Sequence, residues 1–287
     1  MRVRLIIGAA AVAAVALAGC GQTNDSGSPV PGNGPQDAPG NAPAKSDTSS
    51  GGLDNIVDAS RQAGTARMAT SIEADLGGTK VTLTAGEGAV DFANKRSTMS
   101  TKMSGPGTGE QGGGMNVIID GGTGYLQYLI EGQPGPWMKF DLTAMVGQRG
   151  ASDMGTYLTL MAGITQSSKV AAENVHGVDT THYKVTVDPQ KILEKYPEMK
   201  DFIQSMLTMA ENVAPGATKG VEEDTNKPTQ YDLWVDKGGL IYRIVQEFST
   251  KGDNGQDVTG RSTTEFYDYG KPVEITAPAA SEVKGGG

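Results

Sequence analysis

Between residues 67 and 104 the side chains alternate, with apolar ones and Thr70 on every second position: Met68, Thr70, Ile72, Ala74 and Leu76, then Val81, Leu83 and Ala85, then Val90 and Phe92. A period of two turns one side of each segment toward a core and the other toward water, which a helix cannot do at this spacing. The chain is therefore expected to build on half-buried strands. Gly77-Gly78 and Asn94-Lys95 supply residues that tolerate the backbone of tight hairpin turns, so consecutive strands run antiparallel. Gly121-Gly122 joins the next pair, Met115 to Asp120 and Gly124 to Ile130, and Trp137-Met138-Lys139-Phe140 makes a short strand after Pro134-Gly135-Pro136.

Helical spacing interrupts this pattern in three places. Leu53, Ile56, Val57, Ala59 and Ala63 predict a short helix at the start of the folded region. Tyr157, Leu158, Leu160, Met161 and Ile164 set a second stripe, with Asp153 as its cap. The third is the clearest: Asp188 caps, Pro189 takes the first helical position, and Ile192, Leu193, Tyr196, Met199, Phe202, Ile203, Met206, Leu207 and Ala210 share one face. Pro197 breaks or kinks that run. Strands are expected from Val170 to Val175 and from Tyr183 to Val187. Tyr231 to Val235 and Leu240 to Phe248 form a hairpin, and a last strand runs from Arg261 to Tyr269. Hairpins without parallel crossovers make this an α+β chain, an antiparallel sheet with its helices gathered on one face.

The single cysteine adds a different constraint. Arg2 and Arg4 precede an apolar run from Leu5 to Leu17, too short to span a bilayer and of the length of a signal-peptide core. Leu17-Ala18-Gly19-Cys20 closes it and resembles a bacterial lipobox, in which Cys20 becomes the acylated first residue of the mature chain. Residues 1–19 are then a leader and 20–52, rich in Gly, Pro, Ser, Asn and Asp, a flexible tether that buries too little to fold. Residues 53–283 form the domain. With Cys20 committed to acylation, disulfides, thiolate catalysis and cysteine-based zinc sites are excluded. Of 24 Lys and Arg, two lie in the leader, leaving 22 against 33 Asp and Glu. An acidic surface excludes nucleic acid as a partner and makes the lipid, not a polybasic patch, the tether to the membrane.

No catalytic constellation is present. Gly107-x-Gly109-x-x-Gly112 matches a dinucleotide fingerprint in form, but no helix follows to meet a pyrophosphate. His176 and His182 flank one turn without an acidic cluster to complete a metal site, and exposed strand or turn positions account for both. Glu222-Glu223-Asp224 is a solvated loop. No cofactor, no metal and no enzymatic activity are expected. The methionines near the helical stripes, Met154, Met161, Met199, Met206 and Met209, fit either a filled core or an adaptable greasy cavity, and composition does not choose between them.

Asp232-Leu233-Trp234-Val235-Asp236, followed by Gly239-Leu240-Ile241 and Arg243, resembles the penultimate hairpin of the actinobacterial LppX/LprAFG lipoproteins, which are similar in fold to the LolA/LolB lipoprotein carriers. The segment from Tyr267 through Gly270-Lys271-Pro272-Val273 to Pro278 resembles the end of that domain. The resemblance implies a half-open antiparallel β-barrel, or curved sheet, with helices packed over the concave face and an apolar cavity for acyl chains of a lipid or glycolipid. It also implies an envelope lipoprotein held in the cell membrane and facing away from the cytoplasm, with a membrane transporter as a further partner. On the helical stripes, the cavity side is expected to carry Leu158, Met161, Leu193, Phe202, Ile203, Met206 and Leu207. A non-catalytic envelope module with a solid core is the alternative.

Overall fold

The alternation is realised as one open, curved sheet of thirteen strands. The computed structural model describes residues 53, 56–76, 78–104, 112–130, 132–144, 163–197, 200, 204, 208, 227–251 and 257–284. In chain order the elements are α1 (Ile56–Ala63), β1 (Thr65–Leu76), β2 (Thr79–Asp91), β3 (Arg96–Met103), β4 (Gly113–Asp120), β5 (Thr123–Ile130), β6 (Gln133–Pro134) and β7 (Trp137–Asp141). There follow β8 (Ile164–Val175), β9 (Val178–Val187), α2 (Pro189–Lys195), β10 (Thr229–Asp236), β11 (Ile241–Lys251), β12 (Asp257–Tyr267), a 3-10 turn (Ala280–Glu282) and β13 (Val283–Lys284).

Across the sheet the order is β13-β7-β5-β4-β3-β2-β1-β12-β11-β10-β9-β8, with β6 beside β5. Pairing is antiparallel throughout except where β13 lies parallel to β7. The turns fall where their residues allow. Lys95 and Gly121 take positive φ at the β2–β3 and β4–β5 connections. At the β10–β11 turn Asp236 Oδ1 accepts from the backbone N–H groups of Gly238 and Leu240, each at 2.8 Å.

One face of the sheet carries α1 and α2. Gly64, at φ 78°, ends α1, whose Ile56 is fully buried. In α2 Asp188 caps the helix by accepting from Gln190 N–H at 2.9 Å, Pro189 opens it, and Tyr196 and Pro197 close it. Ile56 and, from α2, Ile192 and Tyr196 pack on Ala66, Met68, Val90, Val185, Val187, Tyr231, Leu233, Val235, Ile244 and Phe266, which form the main core. Removing the cap by Asp188→Ala is expected to lower stability by about 1 kcal/mol, read from urea unfolding midpoints.

The opposite face is crossed by the C-terminal segment. After β12 the chain turns at Gly270, whose N–H donates to Thr65 O at 2.9 Å, and lays Val273 and Ile275 over Ala89, Ile118, Tyr125 and Trp137. The Arg96 guanidinium donates to the Ile275 carbonyl. The segment ends as β13, covering the outer edge of β7.

The second helical stripe departs from expectation at its end. Ile164 is the first residue of β8, not the last of a helix, and β8 is twice as long as the run Val170 to Val175 suggested. An apolar residue beside a short apolar run fits either period, and here pairing with Val187 of β9 decides it. Residues 153–161 lie outside the described residues.

Candidate functional site

Strand registers align side chains into rows that cross the sheet. One row runs Phe266, Met68, Gly88, Met99, Val117, Leu126, Met138, from β12 through β1 to β5 and on to β7. Phe266 and Met68 are buried beneath α1 and α2, Met99, Val117 and Leu126 are half-buried, and Met138, whose register partner on β13 is Lys284, is 41% exposed. The row thus passes from a filled core to an open apolar surface on a single face.

The neighbouring rows keep the same character. Toward one side lie Val90, Ser97, Ile119, Gly124 and Phe140, and toward the other Gly86, Thr101, Met115 and Tyr128. From β2 to β7 this face holds no charged side chain among the described residues, although much of it is only half-buried. The charged residues of those strands, Glu87, Arg96, Lys102, Asp120 and Lys139 among them, all alternate onto the opposite face. A partly open face that excludes charge completely suits an apolar occupant and would be poorly placed in water.

Glycines let the strands come close there. A Cβ built on Gly88 would stand 2.2 Å from the Thr98 carbonyl oxygen, and one on Gly86 would stand 2.8 Å from that of Ser100. The β2–β3 pair is therefore compatible only with a bare backbone at these points. Over Gly124 the Phe140 ring fills the space a side chain would take.

At strand spacings of about 4.8 Å, the part of the row from Gly88 to Met138 is about 19 Å long. A membrane acyl chain covers about half of a hydrocarbon core, roughly 15 Å. The row can seat such a chain along its length, through dispersion contacts with two thioethers and two branched side chains.

Of the cavity-side residues expected from the helical stripes, Leu193 is described. It lies half-buried in α2 between the core residue Ile192 and the exposed Glu194. Leu158, Met161, Phe202, Ile203, Met206 and Leu207 lie outside the described residues, as does Cys20. The strand positions Met99, Val117, Leu126 and Met138 were not singled out from sequence. Their signal was present as alternation, in Met99, Thr101 and Met103 of β3 and in Met115, Val117 and Ile119 of β4.

The histidines need one correction. His176 sits exposed in the β8–β9 turn, as expected, 3.0 Å from Glu265. His182, however, is only 12% exposed. Its ring stacks on Trp234 at 4.2 Å, with Nδ1 3.1 Å from Glu173 and Nε2 2.6 Å from Asp232. The Trp234 indole N–H donates to Glu173 at 2.8 Å; this bond above all, with His182 adding to it, holds that carboxyl below its usual range against the opposing effect of burial. These groups bond to one another, and Trp234 also packs with Val175 and Val245 in a small buried cluster. Among the described residues no set of three or more His, Cys, Asp or Glu is arranged to hold a metal ion, and no helix is long and apolar enough to cross a membrane.

No protein-family model matches the chain. Over 137 residues, 47% of its length, it is 31% identical to an uncharacterized 31.2 kDa protein of Streptomyces griseus encoded in the rplA-rplJ intergenic region. The match spans 39% of that relative. Among solved structures the chain is similar to Mycobacterium tuberculosis lipoprotein LppX, at 13% identity and TM-score 0.45 over 79% of this chain and all of that one. It is similar to Mycobacterium bovis LprF at 12% and 0.39, over 79% and 96%. A LolA superfamily protein from Nitrosomonas europaea follows at 10% and 0.26, over 78% and 97%.

Proposed function

We propose that the chain is an acyl-anchored lipoprotein of the cell envelope that holds acyl chains of a lipid or glycolipid against the helix-bearing face of its sheet, and carries or presents them. The observation that carries this reading is the charge-free, half-open face from β2 to β7, crossed by the row Met99, Val117, Leu126 and Met138. The row's length of about 19 Å accommodates one acyl chain, and the face is continuous with a packed core that fixes its shape. The role is non-catalytic: the face offers contact and exclusion of water, and its hydroxyls on Ser97, Thr101 and Tyr128 have no charged or imidazole side chain beside them among the described residues of β2 to β7 on that face. Residues 1–19 serve as the leader, 20–52 as the tether and 53–283 as the lipid-holding domain, with a membrane transporter as the partner that supplies or receives the cargo.

Organic extraction of the purified protein followed by mass spectrometry tests the reading. Stoichiometric lipid is the expected result. A lipid-free protein that gains none from vesicles favours the solid-core module, for which the filled region under α1 and α2 is the supporting observation.

The anchor has its own test. Cys20→Ala is expected to move the protein from washed membranes to the soluble fraction. The thiol is the only acylation site of the thioether kind in the chain, and an acidic protein has no polybasic substitute. Retention of the variant in the membrane fraction would reject acylation at this position.

A further inference from the structure

We propose that the rim formed by Tyr128, Ile130 and Met138 docks on the surface of a lipid bilayer. Ile130 is 70% exposed, Tyr128 43% and Met138 41%, the largest apolar exposures at this edge of the sheet. They are contiguous: Tyr128 and Ile130 follow Leu126 on the same side of β5, and Met138 is the register partner of Leu126 on β7. Three large apolar side chains grouped at one rim mark a contact surface, where a single one would need no explanation.

The sequence around the rim names the occupant. Residues 124–138 contain one charged side chain, Glu131, in a chain that is 20% charged, and the rim's own aromatic is Tyr128, since Tyr125 and Trp137 pack on the other face. Charge depletion around an exposed Tyr and aliphatic side chains suits the boundary of a bilayer, where the ring's apolar body and polar hydroxyl both find partners. A second copy is disfavoured, because two chains of net charge −9 repel. The same acidity rules out attraction to anionic headgroups, so the contact arises from apolar insertion and is insensitive to salt. α1, into which the N-terminal segment leads, lies on this same face.

This inference rests on the proposal that acyl chains lie along the row through Leu126. The rim is the exposed end of that row, bounded by Lys284 of β13, the register partner of Met138, and is the point at which a chain leaving a bilayer enters it.

The test uses the full chain carrying Cys20→Ser, which removes the only native thiol. A single cysteine is introduced by Ile130→Cys, or by Val170→Cys as control, and labelled with an environment-sensitive fluorophore. Val170 is apolar, 49% exposed, and stands on β8 at the far edge of the sheet. With phosphatidylcholine vesicles, the label at position 130 is expected to shift to the blue equally at low and high salt, and the label at 170 to stay unchanged. An equal shift at both positions, or none at 130, overturns the proposal. So does a shift at 130 produced by raising protein concentration without vesicles, which assigns the rim to a second copy. Lipid extracted from the same samples separates the two readings. A lipid-free protein that still shifts at 130 keeps the docking surface and removes lipid holding, whereas a lipid-loaded protein that does not shift removes the docking surface alone.

Discussion

Leu126→Glu is expected to reduce lipid occupancy at least tenfold while leaving the domain folded. Leu126 is half-buried between its register partners Val117 and Met138, in the middle of the charge-free face. A carboxylate there can be reached by water in the empty protein, so folding costs little. Beneath an acyl chain it would be sealed in without a partner, at a cost of several kcal/mol that the chain's binding must absorb. The measurement is lipid per protein by mass spectrometry, alongside the unfolding midpoint. Ser100→Glu is the matched control, since Ser100 is exposed on the opposite face of β3 and its variant should keep its lipid. Equal occupancy in the two variants would remove the row from the binding surface.

Gly88→Ala is expected to destabilise the domain by about 1 to 3 kcal/mol or more, although it adds a single methyl group. The added carbon meets the Thr98 carbonyl oxygen at 2.2 Å and the Met99 Cα at 3.2 Å, both backbone atoms of the paired strand. Neither can swing aside as a side-chain end would, so β2 and β3 must separate or flatten. Gly113→Ala on β4 sets the scale: its nearest contact is 3.6 Å, and its effect should stay within about 0.5 kcal/mol. Urea unfolding of both variants gives the comparison. If Gly88→Ala is no worse than Gly113→Ala, the close approach at β2–β3 is not required by the fold.

Local chemistry was legible in the sequence to different depths. Asp188-Pro189, Pro197, Asn94-Lys95 and Gly121-Gly122 mark their elements through backbone preferences that act within a few residues, and each falls where the structure uses it. Ile164 was assigned to a helix because a short apolar run satisfies two periods, and only the partner strand resolves the choice. Helical stripes dense in Leu and Met direct the expected acyl-chain surface to the helices. On β3 the equivalent signal is diluted to Met99 and Met103 among Ser, Thr and Lys, and it becomes a surface only when register sets Met99 beside Val117. His182 was read as exposed for the same reason. Its partners Glu173 and Asp232 are 9 and 50 residues away in the chain, and strand pairing alone brings them together.

The pairing of β1 with β12 also bears on how the molecule is made. Arg67 meets Tyr267 and Ala69 meets Glu265, so the first strand of the domain and its last long strand are neighbours in the middle of the sheet. One flank of β1 stays unpaired until almost the whole chain has left the ribosome. Contacts between residues so distant in sequence form late and slowly, because the loop must close before any pairing stabilises it. The central seam closes only once residues 257–267 have emerged, and until then the open edge of β1 is the part most in need of a chaperone.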